Sequence, residues 1–568
     1  MSVIDWSVMI GTISFIALYG WWTTRNIEDL QGYLRGNNEL KWYTIGLSIM
    51  ATQASAITFL STPGQAYNDG MRFVQFYFGM PLAMIVICVF IVPIFYKLKV
   101  YTAYEYLETR FDLKVRLLGA FLFLLQRGLA AGITIYAPAI IVSSILGWSL
   151  YATNFVIGTV VILYTVSGGT NAVSKTQKQQ MIVIFVGMLL AALIVIMKLP
   201  KGVSLDSASA LAGALGRMNI IDFSFDLNSR YTFWSGMTGG FFLMLSYFGT
   251  DQSQVQRYLS GRSITESRLG LLFNGMVKIP MQFVILFIGL LVFVFYLFVQ
   301  PPIFFNTPAL EKAKANPKYT VQINQLEKRY SKAFAAQRKA ADALVAARNA
   351  NKEKQVLAAQ KSFKAAFANV QKLRKEAKIV IKKAYPKAEM KDSDYVFITF
   401  IMNMLPVGLI GLLLAVILSA AMSSTASELN ALGATTTVDF YRRIFKKEAS
   451  DKHFLMASKF FTVFWGVVAL TFATFASLLD NLIQAVNILG SIFYGTVLGI
   501  FLTAFFLKNV RSHAVFAGAL IAQAAVIVIF FTSDLGYLWL NPIGCALVMV
   551  VALILNPTLG GRKGENPA

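Results

Sequence analysis

Ser423 and Ser424 close a long apolar stretch, Leu409 to Ala421 (LIGLLLAVILSAA), and Thr425 follows them. In a helix, Ala420, Ser423 and Ser424 share one face by the i, i+3, i+4 rule. Hydroxyl and carbonyl oxygens are hard ligands that suit a small hard cation. This face is predicted to be half of a sodium site. The competing reading makes the two serines small, hydrogen-bonding residues that let membrane helices pack closely. The two cysteines, Cys88 and Cys545, lie inside apolar segments with no disulfide or metal-ligand spacing. His453 and His513 stand at segment ends, where an interfacial place is expected. No nucleophile–base pair, metal cluster or phosphate loop is legible, so an enzyme is not expected.

The elements that must position those serines are membrane helices. Apolar residues make up 56% of the 568 positions and the mean hydropathy is +0.60, too high for a soluble chain of this length. Crossing roughly 30 Å of hydrocarbon takes about 20 residues per helix. Thirteen apolar runs are predicted as spans: about 5–23, 44–65, 71–96, 115–146, 150–166, 179–199, 232–258, 270–300, 395–428, 454–476, 480–507, 513–532 and 537–556. The first lacks the basic start and small-residue cleavage site of a signal peptide. Arg442, Arg443, Lys446, Lys447 and Lys452 crowd one short connection. Arg257, Arg262 and Arg268 crowd another, and Lys97, Lys99, Arg110, Lys114 and Arg116 a third. If spans alternate, these loops and the tail with Arg562 and Lys563 fall on one side. The positive-inside rule then expects the N-terminus outside and the C-terminus in the cytoplasm of the plasma (inner) membrane.

A net charge of +23 raises the question of nucleic acid, but its placement answers it. Residues 311–394 hold 21 Lys and Arg against 8 Asp and Glu, so +13 of the charge lies in one insert. Ile323, Leu326 and Tyr330 are spaced 3 and 4, and Phe363, Phe367 and Val370 are spaced 4 and 3. With a turn at Asn349-Ala350-Asn351, the insert 305–393 reads as a charged helical hairpin on the outer face. Long loops cross regardless of charge, so the hairpin does not disturb the orientation. It is expected to be a solvated spacer, or else a docking arm for an envelope partner or anionic lipid. No nucleic acid is expected as a partner.

Several motifs resemble the sodium:solute symporter family, which includes sodium–glucose, inositol, proline, iodide, monocarboxylate and sialic acid transporters. The most specific is GTDQSQVQRYLSGRSITESRLG, from Gly249 to Gly270. Others are SAITFLSTPGQAY (Ser55 to Tyr67), YTVSGGTNAV (Tyr164 to Val173), and SSTASELN with TTTVDFYRR (between Ser423 and Arg443). The resemblance covers most of the chain and implies an all-α membrane protein of LeuT-like fold, with two inverted five-helix repeats. The implied domains are a leading helix and loop (1–43), a first repeat (44–199), an outer loop (200–231), a second repeat (232–507, interrupted by 305–393), and two final helices with a tail (508–568). The first helix of each repeat is expected to be interrupted at mid-depth, where broken backbone lines a cavity.

The resemblance also implies site residues. The carbonyls of Ala51 and Ala54 would face the Ala420 carbonyl and the Ser423 and Ser424 hydroxyls around a co-transported Na⁺. Gln177 stands where the family often carries an acid beside a second cation path, so one Na⁺ per cycle is expected. Solute-contact positions carried over are Thr58, Phe76, Tyr77, Met80, Met244, Lys278 and Asn487, joined by Gln53, Ser55, Gln75 and Arg127. Tyr77 and Met244 replace the carboxylate and amide of sugar carriers, which weakens a glucose-type pocket. Arg127 either snorkels to the headgroups or presents its fork to a carboxylate. Lys278 either touches solute or pairs with Asp251. Tyr247 falls at an inner gate, and the run Gly236 to Gly240 lets its helix bend or approach a neighbour closely. The expected function is Na⁺-coupled symport of a small polar solute. A carboxylated one of sialic acid or monocarboxylate type leads, and a sugar or inositol is the alternative. A transporter-like solute sensor is the reading from another class, disfavoured by the short tail after Leu555.

Overall fold

Inside hydrocarbon no water is available to backbone groups, so an apolar chain satisfies them within helices. Accordingly, the only β-bridge among the described residues is Leu40 with Gly261. The structure is a computed structural model that describes residues 1–24, 30–35, 38–350, 352–475 and 482–559. Nine helices there are long and apolar enough to cross a membrane, and further apolar stretches run over Val3–Ile16 and Leu150–Val166. The sequence predicts thirteen spans. Two of them, 44–65 and 232–258, are interrupted helices, broken between Gln53 and Ala56 and between Gly249 and Gln252.

The breaks organise the fold. Helix α1 (Val3–Thr24) precedes α2 (Trp42–Gln53) and α3 (Ala56–Asp69). Between α2 and α3 the backbone leaves helical geometry at Ala54 (ψ 73°) and Ser55 (ψ 173°). A short 3-10 helix, Gly70–Tyr77, then leads into α4 (Met80–Val86) and α5 (Val92–Leu98), with a π turn between them. Next come α6 (Leu113–Leu146) and α7 (Leu150–Met197). Helix α7 kinks at Gly169, whose φ of +57° suits glycine and where a Cβ would lie 2.5 Å from the Tyr33 ring. Helix α8 (Leu205–Ala214) follows, and the second interruption falls after α9 (Phe241–Gly249), at Thr250 and Asp251, before α10 (Gln252–Leu259). Asp251 caps α10 by accepting from Ser253 N at 2.9 Å. Helix α11 (Ile264–Phe298) packs along both halves of the first broken helix. A Cβ at its Gly289 would meet the Pro63 backbone at 2.3 Å.

The span predicted over 395–428 is two helices. Helix α14 (Ser393–Met404) stops at Leu405, and α15 (Leu409–Thr435) begins after Gly408 with φ +90°. Pro406 denies the ladder a donor there, so the serine-bearing helix starts afresh. Helix α15 is the central post, packed on α1, α2, α3, α6 and α7, and on α16 (Asp451–Ala473). Helix α17 (Leu482–Phe506) and the final pair α18 (Ser512–Thr532) and α19 (Leu540–Leu559) complete the body.

The insert is the predicted hairpin: α12 (Pro317–Asn349) against α13 (Glu353–Ala384). Ile323, Leu326, Tyr330, Phe363 and Val370 are buried as their spacing requires, and Phe367 is half-buried. Asn351 of the predicted turn lies outside the described residues. The hairpin is seated on the body at both ends. Arg374 donates to the Tyr67 hydroxyl at 3.5 Å, and Arg348 pairs with Asp206 at 3.1 Å. Within the insert, Arg374 and Lys378 bind Asp392 at 2.9 and 2.5 Å.

Candidate functional site

The break between α2 and α3 lies beside the serine face of α15. Ser423 Oγ donates to the Ala51 carbonyl at 3.4 Å, and Ser424 Oγ donates to the Ala420 carbonyl at 3.0 Å. Ala51, Ala54, Ala420, Ser423 and Ser424 are all buried. Next to them Gln177 is fully engaged. Its Nε2 donates to Thr52 Oγ1 (3.2 Å), Ser427 Oγ (2.8 Å) and the Ser423 carbonyl (3.2 Å), and its Oε1 accepts from Ser48 (2.5 Å).

On the other side of the break is a small cavity of about 70 Å³. The break contributes Gln53, Ser55 and Thr58 to its lining, and the 3-10 helix contributes Phe76 and Tyr77. Helix α9 adds Met244 and Tyr247, α17 adds Asn487 and Tyr494, and α6 and α15 add Arg127 and Glu428. A stack of Phe73 on Phe76 (5.4 Å) separates it from a second, polar opening that holds Gln65, Asp69, Arg72 and Arg230. Gln484 links the rim of that opening, donating to Gln65 at 3.0 Å and accepting from Arg230 at 2.7 Å. Tyr247 bounds the cavity elsewhere, its hydroxyl accepting from Gln254 at 2.6 Å.

Arg127 does not snorkel. It is 3% exposed and grips both Asp251 and Glu428, the latter at 3.1 Å, with Tyr494 alongside. One guanidinium therefore joins α6, the second helix break, α15 and α17. The expected Lys278–Asp251 pair is not formed, because Asp251 belongs to Arg127. Lys278 Nζ has no hydrogen-bond partner among the described residues and lies 6.0 Å from the centre of the Tyr77 ring. Neither Lys278 nor Gln75 is in the cavity lining. Gln75 is spent on the backbone of Tyr231 (3.1 Å) and Asp222 (2.9 Å). The remaining expected contacts, Gln53, Ser55, Thr58, Phe76, Tyr77, Arg127, Tyr247 and Asn487, come together around the cavity, and Met80 does not.

Glu428, Tyr494 and Thr134 also line the cavity, and no sequence motif marks them as solute contacts. Glu428 carried the clearest signal: a carboxylate one turn beyond Ser424 in an apolar helix, where an acid is costly and faces a polar interior. A Cβ at Gly236 would sit 1.9 Å from the Gln75 carbonyl, and one at Gly240 2.6 Å from that of Phe76.

A family model for the sodium:solute symporter family matches residues 33–323 and 370–522. The chain is 34% identical over 274 residues to the human (Homo sapiens) sodium/iodide cotransporter, covering 48% of this chain and 41% of that protein. It is 33% identical over 242 residues to sodium-coupled monocarboxylate transporter 2 of Bos taurus, covering 43% and 39%. The matched stretch thus spans about two fifths of these relatives' length. A solved substrate-bound, outward-open Na⁺-coupled sialic acid symporter shares the fold, with TM-score 0.74, 22% identity and 98% of each chain covered.

Proposed function

The chain belongs to the sodium:solute symporter family, and on that premise we propose that it is a Na⁺-coupled symporter of a small polar organic solute. One observation carries the reading: a broken helix presents the Ala51 carbonyl to the Ser423 hydroxyl on one side and Gln53, Ser55 and Thr58 to a cavity on the other. Na⁺ bound by Ala51, Ala54, Ala420, Ser423 and Ser424 orders the break and so completes the solute cavity. The two ligands then bind with positive coupling. One Na⁺ moves per cycle, because the Gln177 amide fills the neighbouring polar pocket with donors rather than a carboxylate. The four-helix bundle and the surrounding scaffold rock to expose the site inward, and Tyr247 moves to release Na⁺ and then solute. With the N-terminus outside and the C-terminus in the cytoplasm of the inner membrane, the potential adds about 2.3 kcal/mol per charge per 100 mV. The exposed basic face of the 305–393 hairpin is the part offered to an acidic envelope partner.

A carboxylated solute is a second reading, favoured by the monocarboxylate relative and by Arg127 in the lining. It requires the solute carboxylate to displace Glu428 from Arg127. Uptake of labelled lactate, sialic acid and glucose into proteoliposomes, with and without an inward Na⁺ gradient, tests both levels. Na⁺-driven accumulation of any of them supports symport. Passive equilibration that ignores the gradient counts against it.

A further inference from the structure

Arg127 faces two carboxylates, Asp251 and Glu428. Asp251 is fully engaged: Oδ1 accepts from Ser253 N (2.9 Å) and Oγ (2.6 Å), and Oδ2 accepts from Arg127 Nε (3.1 Å) and the Tyr494 hydroxyl (2.9 Å). The other arm of Arg127 reaches Glu428 Oε1 at 3.1 Å. Glu428 Oε2 is left with no hydrogen-bond partner among the described residues. It lies beside Thr134, whose hydroxyl donates back to the Ala130 carbonyl at 3.1 Å. Glu428 is 5% exposed and lines the cavity. One guanidinium against two carboxylates leaves Glu428 short of a partner in a desolvated site, where its charge is costly until a proton or a cation pairs with it.

Two cations could be thought to answer it, and neither is placed to do so. Lys278 is on α11, outside the lining, with Tyr77 at its tip. The sodium face, Ala420, Ser423 and Ser424, is also outside the lining. The space beside Glu428 belongs to the solute. Phe76, Tyr77 and Tyr247 supply ring faces there, and the Arg127 guanidinium already lies 5.2 Å from the Tyr247 ring centre. Aromatic faces with one carboxylate make a site for an organic cation. The amides of Gln53 and Asn487 accept or donate as the ligand demands, so Glu428 decides the charge.

We propose that the solute carries a positively charged nitrogen, a primary or small quaternary ammonium, and that the free oxygen of Glu428 receives it in the cavity. A carboxylate placed there meets an acceptor and must first separate Glu428 from Arg127. The inference rests on the symport reading for transport, and on the cavity lining for its chemistry.

The test is the thermal stability of the purified full chain in Na⁺ or K⁺ buffer, titrated with choline, ethanolamine, lactate or glucose, together with uptake of the same probes. We expect choline or ethanolamine to raise Tm saturably in Na⁺, and lactate and glucose not to. Glu428→Gln weakens the cation by about tenfold to a hundredfold, as loss of a charged hydrogen-bond partner does, and Glu428→Asp restores part of it. The shift given by Na⁺ alone persists in Glu428→Gln, which shows that the variant is folded and its sodium face intact. No effect of either cation on the wild type overturns the inference. So does a Glu428→Gln protein that binds cations like wild type, or one that loses its Na⁺ shift instead. Glu428-dependent cation binding that is identical in K⁺ leaves this inference standing and removes the symport reading. Na⁺-driven uptake of lactate does the reverse.

Discussion

At the residue scale the site turns on one buried arginine. Arg127 holds two carboxylates from different helices, so its removal leaves like charges facing each other without water. We expect Arg127→Ala to destabilise the protein by about 3–5 kcal/mol, as breaking a buried ion pair does. In the Arg127→Ala Glu428→Ala double variant part of that loss should be recovered. A cycle of unfolding measurements checks this, and strictly additive losses would sink it. Most of the cavity was legible in the sequence because its residues ride on motifs around the two breaks: Gln53, Ser55 and Thr58 at the first, Tyr247 just before the second. Gln75 and Lys278 were not placed correctly. Gln75 sits in a 3-10 turn, where three residues per turn rotate it away from the face an α-helix would give. Asp251 has one strong partner to choose, and no local pattern says whether Arg127 or Lys278 reaches it across the fold.

At the element scale, function depends on close approach between elements that carry the lining. The π turn Ser235–Gly240 touches the backbone of Gln75 and Phe76. A methyl group at Gly236 forces that backbone aside and takes Phe76 and Tyr77 with it. We expect Gly236→Ala to cost about 1–3 kcal/mol by overpacking and to lower solute uptake more than it lowers Na⁺ binding. Equal uptake by variant and wild type would show that the approach is not needed. Helix periodicity revealed the long helices and the hairpin registers. It could not reveal the stop at Leu405, because Met404 and Val407 continue the apolar run on either side of Pro406.

At the scale of the whole molecule, the insert is part of the body. Its returning segment after α13 brings Glu389 under the hydroxyls of Tyr136 (3.1 Å) and Tyr395 (3.3 Å). Burial, with Asp394 nearby, pushes the Glu389 carboxyl up from 4.5 to about 8. The folded protein therefore holds this proton more tightly than the unfolded chain. Its stabilising effect is full below about pH 4.5 and is lost as pH rises towards about 8. Asp392 next door has the opposite sense. Against its burial, Arg374 and Lys378 hold it below the usual carboxylate range, so its contribution is present at neutral pH and lost in acid. We expect Glu389→Gln to flatten the fall in stability between about pH 4.5 and 8, read from melting curves across that range. An unchanged slope would mean that Glu389 titrates alike in both states.

The coupling claim for the molecule as a whole stands on the sodium face, and equilibrium binding of labelled Na⁺ to purified wild type, Ser423→Ala and Ser424→Ala proteins tests it without knowledge of the solute. We expect one saturable site per chain in the wild type, weakened at least about tenfold by either substitution, as loss of metal-site oxygens does. Wild-type affinity in both variants, or no saturable Na⁺ binding at all, would contradict the account.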